Sequence, residues 1–206
     1  MSKGIKRTVY SIAILGESTV GKTKILETYL QKQLDFSNIQ TIGIEQYKKQ
    51  IQLENGETIN IKFWDTAGQE RYKSLALNII RQCQGIILVY AINYKYSFTK
   101  IKDWIKGIDK YIDRKFTPLI LIGNKIDLED ERAVSKEEGM NLAESLNVKF
   151  FETSAITKEN IDEAFQEIIN STYNSYKNEM KNIKDEFNES IQIDNNLNIK
   201  NKKKCC

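Results

Sequence analysis

The sequence predicts an α/β fold: a mostly parallel six-stranded sheet with one antiparallel strand and helices on both faces. Strand-like and helix-like hydrophobic periods alternate along the chain. Gly85 to Ile92 and Leu119 to Ile122 are nearly continuous apolar runs, as in strands covered on both faces. Asn55-Gly56 is a hairpin signal between two strand-like runs, and it supplies the single antiparallel pair.

In order, Val9 to Leu15 reads as a buried strand, with turn signals at Gly16 and Gly21. Thr23 to Lys32 follows as a helix. Ile59, Ile61 and Phe63 alternate with polar neighbours and Trp64, a half-buried strand, and Ile44 to Leu53 is its hairpin partner. After the buried run at Gly85, Phe98, Ile101, Trp104, Ile105, Ile108 and Tyr111 recur at helical spacing. Lys136 to Leu146 is a helix and Val148 to Glu152 a strand. Ile161, Ala164, Phe165, Ile168, Ile169 and Tyr173 mark the last core helix. One domain over residues 1–176 is expected, then a flexible tail over 177–206, rich in Asn, Lys and acids. In that tail Met180, Ile183, Phe187 and Ile191 are also compatible with an extended amphipathic helix.

Composition narrows the chemistry. A net charge of +3 predicts neither nucleic-acid binding nor a strong surface field. The absence of histidine removes Ser-His-Asp triads, His-zinc sites and histidine acid-base catalysis. Only Cys83, Cys205 and Cys206 occur, which gives no disulfide framework and points to a reducing setting. Val9 to Leu15 is too short for a membrane span, and Ser2 lacks the glycine that N-myristoylation needs, so attachment is expected at the other end.

Gly16-Glu17-Ser18-Thr19-Val20-Gly21-Lys22-Thr23 fits G-x-x-x-x-G-K-[ST], directly after a buried strand and opening a helix. Glycines let the backbone wrap a phosphate, and the amides and helix N-terminus stabilise its charge. Lys22 is placed to reach the β- and γ-phosphates and Thr23 to bind Mg²⁺. This is the signature of a P-loop NTPase, a three-layer fold, and it leaves the base open.

Asn124-Lys125-Ile126-Asp127 and Glu152-Thr153-Ser154-Ala155 each follow a strand. With the phosphate loop upstream, they resemble the guanine site of the Ras superfamily of GTPases. By that resemblance Asp127 accepts from guanine N1-H and the 2-amino group, which adenine lacks. Asn124 braces the loops, the Lys125 stem covers the base, and Ser154 and Ala155 complete the pocket, the Ala155 amide meeting O6. Trp64-Asp65-Thr66-Ala67-Gly68-Gln69-Glu70-Arg71 narrows the resemblance to the Rab branch. It implies that Asp65 holds Mg²⁺ through water, the Gly68 amide meets the γ-phosphate, and Gln69 orients the attacking water. Thr41-Ile42-Gly43 resembles the first switch of that family, in which Thr41 meets Mg²⁺ and the γ-phosphate only in the GTP state. The resemblance thus implies Gln69, Lys22 and Thr41 as catalytic residues. Nucleotide contacts fall to residues Glu17 to Lys24, Leu34, Thr41, Gly68, Asn124, Lys125, Asp127, Ser154 and Ala155. Thr23, Thr41 and Asp65 form the metal set.

Lys202-Lys203-Lys204-Cys205-Cys206 resembles a Rab double-geranylgeranylation signal, and two lipid chains give stable anchoring where one does not. Lys200 and Lys202 to Lys204 add attraction to anionic lipid, roughly 1 kcal/mol each near the surface. The family implies an exchange factor, a GTPase-activating protein, a Rab escort protein, a GDP dissociation inhibitor and effectors. It also implies a monomer in the cytoplasm, reversibly attached to the cytosolic face of endomembranes.

Some positions depart from the family. Leu34 stands where relatives stack an aromatic ring on guanine, although Phe36 is close in sequence. Thr19 replaces Gly or Ala, Gln40 precedes the switch threonine, and Ala91 replaces the usual Asp. Of the aromatic trio that relatives show to effectors, Trp64 is kept while Gln46 and Ile79 take the other places. The hairpin is one residue longer than usual, and Tyr47 is expected to take Gln46's place in space. The favoured function is a slow GTPase switch in membrane traffic. The alternatives are a divergent module that holds guanine nucleotide with little hydrolysis, and a P-loop ATP phosphotransferase.

Overall fold

The computed structural model describes residues 9–32, 43–67 and 78–202, with side chains as far as residue 183. Strands β1 (Val9–Leu15), β2 (Ile44–Gln52), β3 (Thr58–Thr66), β4 (Gly85–Ala91), β5 (Leu119–Asn124) and β6 (Lys149–Thr153) form one sheet in the order β2-β3-β1-β4-β5-β6. Only β2 and β3 run antiparallel, and every other neighbouring pair is parallel. The helices are α1 (Lys22–Tyr29), α2 (Lys95–Thr99), α3 (Ile101–Ile108), α4 (Lys136–Leu146) and α5 (Ile161–Lys202), with a 3₁₀ turn at Ile126–Glu131.

The pleat divides the apolar residues between two cores. Ile12 and Ile14 of β1 face α1 and α5, whereas Ala13 and Leu15 face α3 and α4. The first core centres on a Tyr29–Phe165 stack at 4.0 Å, with Phe63 edge-on to both rings. The second holds Trp104, Ile108 and Leu142 against Leu88, Tyr90 and Leu121. β4 is buried at every residue, which explains its unbroken apolar run. The start of α4 is fixed by a capping box between Ser135 and Glu138.

Three expectations shift. The helical run from Phe98 divides at Lys100 into α2 and α3. The helix after the phosphate loop ends at Tyr29 rather than Lys32. Tyr47 does not take the place of Gln46. Gln46 pairs with Trp64 and Tyr47 with Phe63, so the pleat turns Tyr47 to the opposite face, where it packs on the first core. The hairpin closes in a turn where the Leu53 amide donates to the Glu57 carbonyl and Gly56 takes φ 78°. The last helix continues past residue 176 to Lys202.

Candidate guanine-nucleotide site

The chemistry-bearing loops leave the carboxyl ends of parallel strands, where open α/β sheets hold ligands. The loop after β1 needs its glycines. At Gly16 (φ 144°) a Cβ would stand 2.1 Å from the Val89 carbonyl oxygen, and at Gly21 (φ 96°) 2.4 Å from Asn124 Nδ2. Thr19 takes φ 66°, a conformation β-branched residues seldom adopt.

Lys22 opens α1 and lies 6% exposed. Its ammonium donates to the carbonyls of Gly16 (3.0 Å) and Glu17 (2.8 Å). Burial lowers its pKa from 10.5 to about 8, against the opposing pull of Asp65 and Glu17. Beside it, Thr23 Oγ1 donates to Asp65 Oδ2 at 2.6 Å. Asp65 is fully buried, and among the described residues its Oδ1 has no hydrogen-bond partner. Burial raises that carboxyl to about 6, although Thr23 and Lys22 favour the charged form.

The far end of the site is held together by hydrogen bonds. At the end of β5, Asn124 Nδ2 donates to the Val20 carbonyl at 2.9 Å, and Asn124 Oδ1 accepts from Thr153 Oγ1 at 3.1 Å. One side chain thus ties the phosphate loop to the end of β6. Lys125 follows in the left-handed region (φ 74°), its ammonium pKa lowered by burial. Ser154 Oγ donates to Asp127 Oδ1 at 2.6 Å and accepts from the amides of Ile156 and Thr157. Asp127 remains exposed at the cleft edge. Thr28 of α1 donates to the Ala155 carbonyl at 2.9 Å, joining the two loops from below.

A family model for the Ras family matches residues 11–174. Rab-15 of Bos taurus is 35% identical over 185 residues, covering 90% of this chain and 86% of its own length. RABC2a of Arabidopsis thaliana is 39% identical over 160 residues, 77% of this chain and 75% of its own. Rab-8B of Pongo abelii is 40% identical over 157 residues, 76% of this chain and 75% of its own. The chain belongs to the Ras family, in its Rab group of small GTPases.

As a Rab-group GTPase the protein hydrolyses GTP and acts as a switch in membrane trafficking. Among the residues expected at its site, the structure brings Glu17 to Lys24, Asp65, Asn124, Lys125, Asp127, Ser154 and Ala155 to one edge of the sheet. Leu34, Phe36, Gln40, Thr41, Gly68, Gln69, Cys205 and Cys206 lie outside the described residues. The ATP phosphotransferase alternative falls with the family assignment.

Three further residues join the site of this GTPase without a sequence motif, and Thr153, inside one, adds a contact its motif did not announce. Trp104 Nε1 of α3 donates to Glu17 Oε1 at 3.0 Å, tying the phosphate loop to the second core. Thr28 and Thr153 act as described above, and Glu45 of β2 pairs across the strands with Asp65. Each contact joins residues distant in sequence, so no local spacing could have announced it. Ala91 is fully buried, and its amide donates to Ser97 Oγ at 3.1 Å.

Proposed function

We propose that this Rab-group GTPase binds guanine nucleotide together with Mg²⁺, hydrolyses GTP slowly, and recruits effectors to the cytosolic face of endomembranes while GTP is bound. The observation that carries the reading is the buried Asp65 carboxylate, with Oδ1 unpartnered among the described residues and Oδ2 on the Thr23 hydroxyl. A carboxylate and a hydroxyl are hard oxygen donors of the kind Mg²⁺ takes. With Thr41, Thr23 and Asp65 would hold the ion, which supplies charge neutralisation to the phosphate oxygens.

The remaining roles belong to the chain. Lys22 exchanges the Gly16 and Glu17 carbonyls for phosphate oxygens. Asp127, oriented by Ser154, selects guanine by its two donors. Gln69 orients the attacking water, and Thr41 and Gly68 report the γ-phosphate. Without an arginine finger in cis, intrinsic turnover is expected on the order of 10⁻⁴ per second. A GTPase-activating protein then supplies the missing charge, an exchange factor opens the site, and an escort protein and GDP dissociation inhibitor handle lipids on Cys205 and Cys206.

Single-turnover hydrolysis by the unlipidated protein, loaded with GTP and challenged with excess ATP, tests the proposal. Slow hydrolysis without displacement by ATP supports it. Retained GTP with no detectable hydrolysis would favour a nucleotide-holding module. Displacement by ATP would remove the role given to Asp127.

A further inference from the structure

The phosphate loop carries a negative charge of its own. Glu17 follows Gly16, and its carbonyl accepts one of the two hydrogen bonds from the Lys22 ammonium, at 2.8 Å. The Glu17 carboxylate lies near enough to that ammonium to raise its pKa, against the larger effect of burial and beside the pull of Asp65. A loop that is to receive phosphate thus holds an anion within reach of its own cation. A carboxylate settled on Lys22 would occupy the charge that a phosphate needs, and would repel the phosphate as well. The structure holds the carboxylate elsewhere. Glu17 Oε1 accepts from Trp104 Nε1 at 3.0 Å, a hydrogen bond to a charged acceptor. The donor is rigid, because Trp104 lies on α3, is 1% exposed and packs in the second core. An indole N–H donates without carrying a charge, so it fixes a carboxylate and adds no cation that would itself draw phosphate.

We propose that Trp104 is a positioning residue for the phosphate site: its indole N–H holds the Glu17 carboxylate off the Lys22 ammonium and reserves that cation for the nucleotide. The inference rests on the reading of Lys22 as the phosphate-binding cation. Both ends of Glu17 then have a task. Its carbonyl gives Lys22 a resting place, and its carboxylate, tied to the core, fixes where that carbonyl stands. The contact acts most strongly on GTP. A released carboxylate opposes every phosphate near the loop, and GTP brings one more than GDP. Trp104 therefore sets the preference between the two nucleotides as well as the affinity for both.

The test uses the full-length unlipidated protein and fluorescent analogues of GTP and GDP. Trp104→Phe removes the N–H and keeps an aromatic ring in the core. Affinity should fall about tenfold for GTP and about threefold for GDP. Adding Glu17→Gln to Trp104→Phe should recover most of the GTP loss, because an amide does not compete for an ammonium. Made in the Glu17→Gln protein, Trp104→Phe should cost under about twofold, which closes the cycle. A loss of core packing would not be rescued by removing a charge from the loop. If Trp104→Phe does not fold, benzothiophene in place of the Trp104 indole gives the same test, since it exchanges the N–H for sulfur at nearly the same shape. Unchanged GTP affinity, equal losses for GTP and GDP, or no recovery with Glu17→Gln would each overturn the inference. Failure of the wild type to bind GTP would overturn the reading of the site and this inference with it. Normal wild-type binding with a silent Trp104→Phe would overturn this inference alone.

Discussion

The two ends of the nucleotide site differ in how completely the protein satisfies its own polar groups. At the guanine end Asn124 bonds the phosphate loop and Thr153, Ser154 bonds Asp127 and two amides, and Thr28 holds the Ala155 carbonyl. At the phosphate end a buried ammonium rests on two backbone carbonyls, and a buried carboxylate keeps one oxygen unpartnered among the described residues. The first end is preorganised and needs no ligand to hold its shape. The second is electrostatically costly by itself, so on the proposed reading a phosphate and a cation bound there would also stabilise the fold. Selection of the base and retention of the phosphates are therefore separable by mutation.

The largest separation is expected from Lys22→Met. Affinity for GTP should fall about a thousandfold, as two charge-assisted phosphate contacts go. The nucleotide-free protein should become more stable, because a buried ammonium is removed. The sign follows from the pKa. The folded value of about 8 lies below the ordinary 10.5, so the penalty is full below pH 8 and fades as pH rises to 10.5. Thermal melts of the nucleotide-free pair should show Lys22→Met ahead at pH 7 and the gap closing by pH 10.5. A variant that melts lower at pH 7 would mean that Lys22 holds the loop together.

Asp65→Asn sharpens the same contrast through the metal. Dissociation of GDP should lose its dependence on Mg²⁺ and quicken by about a hundredfold, the loss of a charged oxygen at the ion. In the nucleotide-free protein the Asp65 carboxyl holds its proton to about pH 6, against an ordinary 3.8. Between those values the folded state binds the proton that the unfolded chain has released, so wild-type stability falls as pH rises through the window. The Asn variant should lack this slope in pH-dependent melts. An unchanged slope would place the titration elsewhere.

A smaller effect is expected at the preorganised end. Asn124→Ala leaves the Val20 carbonyl and Thr153 hydroxyl without their partner, at a cost of about 2 kcal/mol. Both Tm and GTP affinity should fall, whereas the preference for GTP over ATP should survive, because Asp127 is untouched. Parallel melting and competition measurements separate the two. A lost preference would mean that Asn124 reads the base as well as bracing the loop.

The contrast also marks what was legible in the sequence. The strands were readable because burial on one face or both leaves a local period, as in β1 and β4. The phosphate loop and the Asn124 to Asp127 segment were readable because their chemistry requires fixed types at fixed spacing. The Trp104–Glu17 and Thr28–Ala155 bonds were not, since the fold alone brings those residues together. The side on which Tyr47 lies follows from the strand register, which pairs it with Phe63 and is not a local sequence signal. Gly56 at positive φ closes the turn, and the unbroken β2–β3 register keeps Gln46 opposite Trp64.

Thr19 is where the smallest effect and the finest distinction meet. Its backbone sits at φ 66° beside the phosphate cradle, and its side chain is exposed. A left-handed β-branched residue costs about 1–2 kcal/mol, and glycine removes that strain while adding up to about 1 kcal/mol of unfolded-state entropy. Thr19→Gly should therefore raise Tm by about 2 °C in the nucleotide-free protein. If the strain serves only the loop's shape, single-turnover hydrolysis should stay at the wild-type rate, since glycine keeps the same backbone. A faster rate with unchanged GTP affinity would place the threonine side chain in the path of the reacting phosphate. The departure from the family at this position would then tune hydrolysis, and not the stability of the loop.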